Sequence, residues 1–238
     1  MEFRTLNADE IEVRLAQIQS NWCSLLLYKN ARVDMDILDE TVGCMSWKRE
    51  HLRDNANCVV SIYDSEKNIW VSKEDTGKES FSEAEKGLAS DSFKRACVNW
   101  GIGRELYSSP SIFIFPRKDM VRKGKSGEFY QNDKGKYETK TRFYVDYIDY
   151  DENRKIKDLI IRDEKGNIRF ESLTAEYEKL KNKEFLSLKQ LIEKAEEHDE
   201  NFERQNLYDF FKVESDNQLN NKQMTEAINI LKKKIGEK

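Results

Sequence analysis

Residues 82–107 read SEAEKGLASDSFKRACVNWGIGRELY, and this stretch has the marks of one helix with a defined start and stop. Ser82 and Glu85 stand at the S-x-x-E spacing of a capping box, where each side chain satisfies a backbone N–H that the first turn leaves unpaired. Gly101 and Gly103 offer the left-handed positions that end a helix. Between these ends Ala89, Phe93, Ala96, Cys97 and Trp100 recur at the 3.6-residue period and share a face. Lys86, Ser90 and Lys94 share another, with Asp91 and Arg95 beside them. Periodicity alone describes an ordinary amphipathic helix. A Lys-Arg pair next to a short glycine turn is also a group that can hold a phosphate backbone. Gly87 costs about 1 kcal/mol against Ala within a helix, and it permits close packing against a neighbouring strand or subunit.

Working outward, residues 7–19 read as an opening helix with Ile11, Leu15 and Ile18 on one face, and residues 21–33 as a strand. Asp34 is placed to cap a short helix that ends at Gly43. Residues 47–52 are a strand candidate, and residues 58–63 and 69–73 are two strands joined by a turn at 64–68. Residues 111–115 form a short extended segment between Pro110 and Pro116. Residues 117–142 carry Lys or Arg at 117, 118, 122, 123, 125, 134, 136, 140 and 142 against acids at 119, 128, 133 and 138, with Phe129, Tyr130 and Tyr137 interleaved. This region reads as a basic, mobile hairpin or loop. Strands follow at 144–150, 157–162 and 168–170.

Beyond residue 171 the composition shifts. Residues 173–184 are charged and poor in apolar side chains, as in a linker or an exposed helix. Three amphipathic helices at 186–197, 203–211 and 222–234 then close a small cluster. The expected division is a core at 1–172, a linker at 173–185 and a helical domain at 186–238.

The chain has 238 residues and 38% hydrophobic content, enough for one moderate core and a small appendage. Charged residues make up 36%, and the formal net charge is −4. A nucleic-acid surface would therefore have to arise from local segregation of charge. Four widely spaced cysteines (Cys23, Cys44, Cys58, Cys97) and two histidines (His51, His198) give no zinc spacing. The cysteines read as small buried hydrophobes in a reducing cytoplasm. No signal core precedes residue 16, and no apolar run reaches the roughly 18 residues of a membrane span. A G-x-x-x-x-G-K-[ST] phosphate loop is absent, and Gly101-Ile102-Gly103 follows a helix where a dinucleotide fingerprint must follow a strand. No Ser-His-Asp set can be built, and no cofactor is expected. The acid pairs Asp34/Asp36 and Asp146/Asp149 are ordinary for so charged a chain.

Residues 87–107, GLASDSFKRACVNWGIGRELY, resemble the signature of a superfamily of single-strand annealing proteins. It includes the eukaryotic Rad fifty-two recombination protein, the bacterial DdrA repair protein and the Sak-type recombinases of phages. The matching elements are Ala89, Ser90, Asp91, Phe93, Lys94, Arg95, Ala96, Trp100 and Gly101, preceded by Lys-Asn-Ala-Arg-Val at 29–33, Val42-Gly43 and Trp47. The resemblance covers roughly residues 7 to 115 and is closer to the phage-type members. It implies an α+β fold: a β-β-β-α core whose antiparallel sheet packs on a long helix, here followed by a small C-terminal helical domain. It implies ATP-independent binding and pairing of complementary single strands in recombination and repair, without catalysis. The partners implied are single-stranded DNA, the annealed duplex and further copies of the chain in a ring or helical filament.

Carried onto this sequence, the backbone-contacting role falls on Lys94 and Arg95. Arg32 is the nearest match to a basic residue of the first core strand, and Lys29 a weaker one. Lys86, Lys48, Arg49, Arg104, Arg122, Lys123, Lys125 and Tyr130 are further candidates for the DNA surface. Base stacking has candidates in Tyr28, Trp47, Tyr63, Phe129 and Tyr130, of which Phe129 and Tyr130 are expected outside the core. Eukaryotic members carry another Arg one turn after the pair. Val98 or Asn99 stands there in this chain, and the basic stretch beyond Pro116 is the expected replacement. Unrelated phage annealing proteins end in helices that dock a host single-stranded DNA-binding protein or an exonuclease, and 186–238 is similar in layout. The competing readings are a metal-dependent nuclease and an adaptor that works through the C-terminal helices. The expected setting is cytoplasmic.

Overall fold

A computed structural model of the chain describes residues 1–78, 84–117, 127–199 and 202–236, with the side chains of 84–86 left outside that description. The described residues form a mixed α+β protein with antiparallel sheets and five α-helices. They fall into two compact units, Met1–Glu12 with Leu27–Ser109, and Val13–Leu26 with Pro110–Lys238.

The first unit is built around one helix on one sheet. Strands β3 (Trp47–Leu52), β4 (Asn57–Asp64) and β5 (Ile69–Thr76) form an antiparallel meander with β4 in the centre. Strand alternation sends Cys58, Val60 and Ile62 of β4 to one face, where all three are buried. Helix α2 (Ala84–Trp100) covers that face with buried Phe93, Ala96 and Cys97. The Trp47 ring stacks on Phe93 at 6.2 Å, and the Trp100 indole donates to the Val60 carbonyl at 3.1 Å. The helix stops as expected, with Gly101 at φ 103° and Gly103 at φ 68°. The capping box at Ser82 and Glu85 lies outside the described residues.

Close packing comes from Gly77 after β5. A Cβ there would stand 2.5 Å from the Ser92 backbone nitrogen and 2.7 Å from the Leu88 carbonyl oxygen. Ser92 itself is buried, and its hydroxyl donates to Asn55 O at 3.0 Å. That bond ties the helix to the β3–β4 turn, where Arg53, Asp54 and Asn55 all have positive φ.

Three expectations are corrected. Residues 7–19 do not form a helix. A single 3-10 turn at Ala8–Glu10 is followed by β1 (Glu12–Ile18), which joins a sheet of order β1-β2-β6. Glu10 accepts from the Asn7 backbone at 2.7 Å and pairs with Arg4 at 2.7 Å, which fixes the turn, and strand pairing then overrides the helical spacing of Ile11, Leu15 and Ile18. The expected strand at 21–33 is shorter. β2 covers Cys23–Tyr28, and α1 (Ala31–Val42) starts under the Asn30 side chain, which accepts from Arg32 N at 2.8 Å. Asp34 is not the cap. It sits inside α1, fully buried, and α1 ends at Gly43 as expected.

In the second unit β2 pairs with β6 (Ile112–Ile114) in the register Cys23↔Ile114 and Leu25↔Ile112. A short ribbon of β7 (Tyr130–Gln131) and β8 (Tyr137–Glu138) precedes the meander β9 (Phe143–Tyr150), β10 (Ile156–Asp163) and β11 (Ile168–Ser172). Helices α3 (Ala175–His198), α4 (Arg204–Phe211) and α5 (Asn221–Lys234) enclose Leu188, Leu191, Ile192, Leu207, Phe211 and Leu231. Of the two readings for 173–184, the helical one matches: Thr174 caps α3 by accepting from Tyr177 N at 3.3 Å. The helices rest on the meander, with Tyr177 stacked on Tyr147 at 4.2 Å and Asn221 N donating to Asp146 at 3.2 Å. Cys44 is exposed, unlike the other three cysteines, and no described helix is long and apolar enough to cross a membrane.

Gly77→Ala is expected to cost about 1–3 kcal/mol, because the atoms it meets are helix backbone and cannot rotate away. Urea denaturation of the two proteins measures the difference.

Candidate nucleic-acid interface

The C-terminal end of α2 leaves backbone carbonyls without partners in a next turn and carries the negative end of the helix dipole. Cations gather there from three directions. Lys73, on the α2-facing side of β5, donates to Asn99 O at 2.8 Å and lies over the Trp100 ring at 4.5 Å. Arg104, just past the glycine turn, donates to Val98 O at 2.9 Å and Asn99 O at 3.2 Å. Arg95, one turn earlier, faces Asp75 at 3.4 Å with 42% of its side chain exposed. Asn99 connects them, its amide donating to Glu74 O at 2.9 Å and to Asp75 at 3.3 Å. Lys73 and Arg104, both exposed, thus stand at the end of the helix, where its own sequence has no cation one turn after Lys94 and Arg95. Arg104 is among the sequence candidates. Lys73 is not, because its position depends on strand register; its alternation with Val71 and Asp75 is the available signal.

Lys94 lies on the α1 side of the helix, half-buried, where its charge acts on Asp34. Lys29 is turned inward and only 4% exposed, in an ion pair with the fully buried Asp34. Gly103 passes so close that a Cβ there would overlap the Lys29 side chain. This pair joins the end of β2 to α1 and to the turn after α2. Burial pushes the Asp34 carboxyl from 3.8 up to about 6, against the opposing pull of Lys29 and Lys94. Burial also pushes the Cys58 thiol up to about 11 and holds Cys97 well above its usual range.

The remaining candidates are dispersed. Arg32 is exposed on the first turn of α1. Neighbours Lys48 and Arg49 point to opposite faces of the sheet: Arg49 lies over the Phe93 ring at 4.7 Å on the α2 side, and Lys48 over the Trp70 ring at 4.5 Å on the other. Tyr130 is half-buried on β7. Phe129, expected outside the core, is buried, which corrects that reading. The neighbouring Glu128 explains it: Glu128 is buried too, pairs with Arg169 at 2.6 Å and accepts from Arg117 N at 2.7 Å, so this end of the basic stretch is anchored in the protein. Tyr28 donates to Glu12, and Trp47 packs on Phe93. Arg122, Lys123, Lys125 and the side chain of Lys86 lie outside the described residues. Among the described residues, no three His, Cys, Asp or Glu side chains are grouped to hold a metal ion.

Residues 56–117, which include β4, β5, α2 and β6, match the family model described as Rad52/22 family double-strand break repair protein. This part of the chain is similar to that family, in keeping with the single-strand annealing superfamily that the α2 signature resembles. No curated protein and no solved structure matches the chain.

Because the folded protein holds the Asp34 proton more tightly than the unfolded chain, this group favours the fold below about pH 4, and that contribution is lost as pH rises through about 6. Asp34→Asn removes this slope. It also leaves the Lys29 ammonium buried without its counter-charge, an expected loss of about 3–5 kcal/mol at pH 7. The double change Lys29→Met with Asp34→Leu restores most of that loss. Urea denaturation between pH 4 and pH 7 reads all three.

Proposed function

We propose that the protein is an ATP-independent single-strand annealing protein of phage-type recombination and repair, which binds single-stranded DNA as an oligomer and pairs it with its complement. The observation that carries this reading is the gathering of Lys73, Arg95 and Arg104 at one end of α2, within the segment that matches the Rad52/22 family. Exposed Lys and Arg side chains neutralise phosphates of any sequence, as annealing of arbitrary complements requires. Lys94, on the α1 side of the helix, and Arg32, on the first turn of α1, are further phosphate contacts in this reading. Lys29 acts in this reading as the buried support of the α2 turn, through Asp34, and not as a phosphate ligand.

Helices α3 to α5 are the part of the chain proposed to meet protein partners.

The test is the pairing of two complementary oligonucleotides in the absence of ATP, followed by fluorescence transfer between labelled strands. Wild-type protein should accelerate pairing and leave both strands at full length; no acceleration, or strand cleavage with magnesium or manganese present, overturns the reading. The double variant Lys94→Ala with Arg95→Ala, and separately Lys73→Ala with Arg104→Ala, should weaken oligothymidine binding. Each should also flatten the log–log salt dependence by roughly 1.4, at about 0.7 for each phosphate of a single strand that is no longer neutralised. An unchanged slope removes that pair from the interface.

A further inference from the structure

The face of the β3-β4-β5 sheet turned away from α2 carries a second constellation. Tyr63 and Trp70 stand opposite each other in the β4–β5 register, with ring centroids 5.4 Å apart and planes inclined by 56°. The Tyr63 hydroxyl donates to Asn68 in the turn, which fixes one ring. Trp70 is 42% exposed. The indole rests against Tyr63 on one side and keeps part of its surface open to water, where a flat ligand can stack.

The next row of the same face is of a different kind. Lys48, Ser61 and Ser72 are paired across the three strands, and the two serine hydroxyls are hydrogen-bonded at 2.8 Å. Lys48 reaches from this row over the Trp70 ring, at 4.5 Å from its centroid. Side chains two residues apart on one face lie about 6.6 Å apart along the strand, a distance that one nucleotide spans from base to phosphate. One row therefore offers a flat aromatic face, and the next a cation with the exposed Ser72 hydroxyl, which the buried Ser61 holds in place. The row beyond holds Glu50 and Glu74, whose charges set the limit of the patch for a polyanion.

We infer that this outer face is a stacking site for an unpaired base of single-stranded nucleic acid, with Trp70 as the platform and Lys48 and Ser72 beside its phosphate. Aromatic faces of this kind take any base, since every base presents a π-surface. The inference rests on the proposed single-strand binding and adds a contact on the side of the sheet opposite Lys73, Lys94 and Arg95. Trp70 lies outside the helix signature, and nothing in its own sequence context, Asn68-Ile69-Trp70-Val71, distinguishes it from a core residue.

The test compares oligothymidine with an oligonucleotide of equal length in which every base is replaced by an abasic spacer, so that the phosphates remain. Binding is followed by anisotropy of a label on the DNA. Wild-type protein should prefer oligothymidine, and Trp70→Ala should weaken oligothymidine binding roughly 5- to 150-fold while leaving abasic binding unchanged. Trp70→Tyr should retain most of the preference, which separates stacking from a loss of fold. Equal weakening on both probes, or a base preference that survives Trp70→Ala, overturns the inference. A change in oligomer size with base preference intact assigns the face to contact between copies of the chain and also overturns it. Absence of any DNA binding by wild-type protein is instead the failure of the annealing function itself.

Discussion

The seating of α2 on one face of a three-stranded sheet is the constraint from which the rest of the first unit follows. Phe93 enters between Trp47 and Arg49, and the backbone of the helix approaches Gly77 so closely that no side chain fits there. Once Phe93, Ala96 and Cys97 are fixed inward, the helical period directs Arg95 and Asn99 to the β5 edge and Lys94 to α1. The strand period then brings Lys73 and Asp75 up to meet them. The cations at the end of α2 are therefore a product of packing geometry, assembled from a helix, a strand and the turn after the helix. The carbonyls of Val98 and Asn99 hold Lys73 and Arg104 there before any ligand is bound, and Asp75 holds Arg95.

A chain with a formal charge of −4 presents such a surface through local segregation of charge, since buried ion pairs remove acids and bases in equal number and leave that total unchanged. Asp34 is buried against Lys29, Glu128 against Arg169, and Asp146 is held by Arg162 at 2.6 Å. These pairs cost desolvation and contribute little net stability, but they fix the junctions between elements. The Lys29–Asp34 pair holds the β2 end, α1 and the Gly103 turn together, and the Glu128–Arg169 pair anchors one end of the basic stretch that starts at Arg117. Composition gives only the net charge, and the gathering of cations at the end of α2 is a matter of where the charges stand.

The sequence is most legible where local chemistry and tertiary packing agree. The end of α2 at Gly101, the β4–β5 hairpin, the end of α1 at Gly43 and the three C-terminal helices all carry their own period and their own stop signals. It is least legible where an interaction distant in sequence decides. Asp34 has the chemistry of a helix cap and is instead the counter-ion of Lys29, so Asn30 caps the helix in its place. Ile11, Leu15 and Ile18 have helical spacing, yet pairing with β2 draws them into a strand. In the candidate site Lys94, Arg95 and Arg104 can be read from the helix and its turn. Lys73 and Trp70 cannot, because each depends on which face of β5 points toward α2, and that is set by a register with β4 that the residues of β5 do not declare. Phe129 misleads for the same kind of reason: its basic surroundings in sequence are not its surroundings in space.

The most direct test of the interface is a density map, from electron cryo-microscopy, of the protein bound to oligothymidine. The expected result is a strand whose phosphates run past Lys73, Arg95 and Arg104 at the end of α2. A strand bound with these side chains still facing empty solvent would contradict the assignment of α2 as the rail for the DNA backbone.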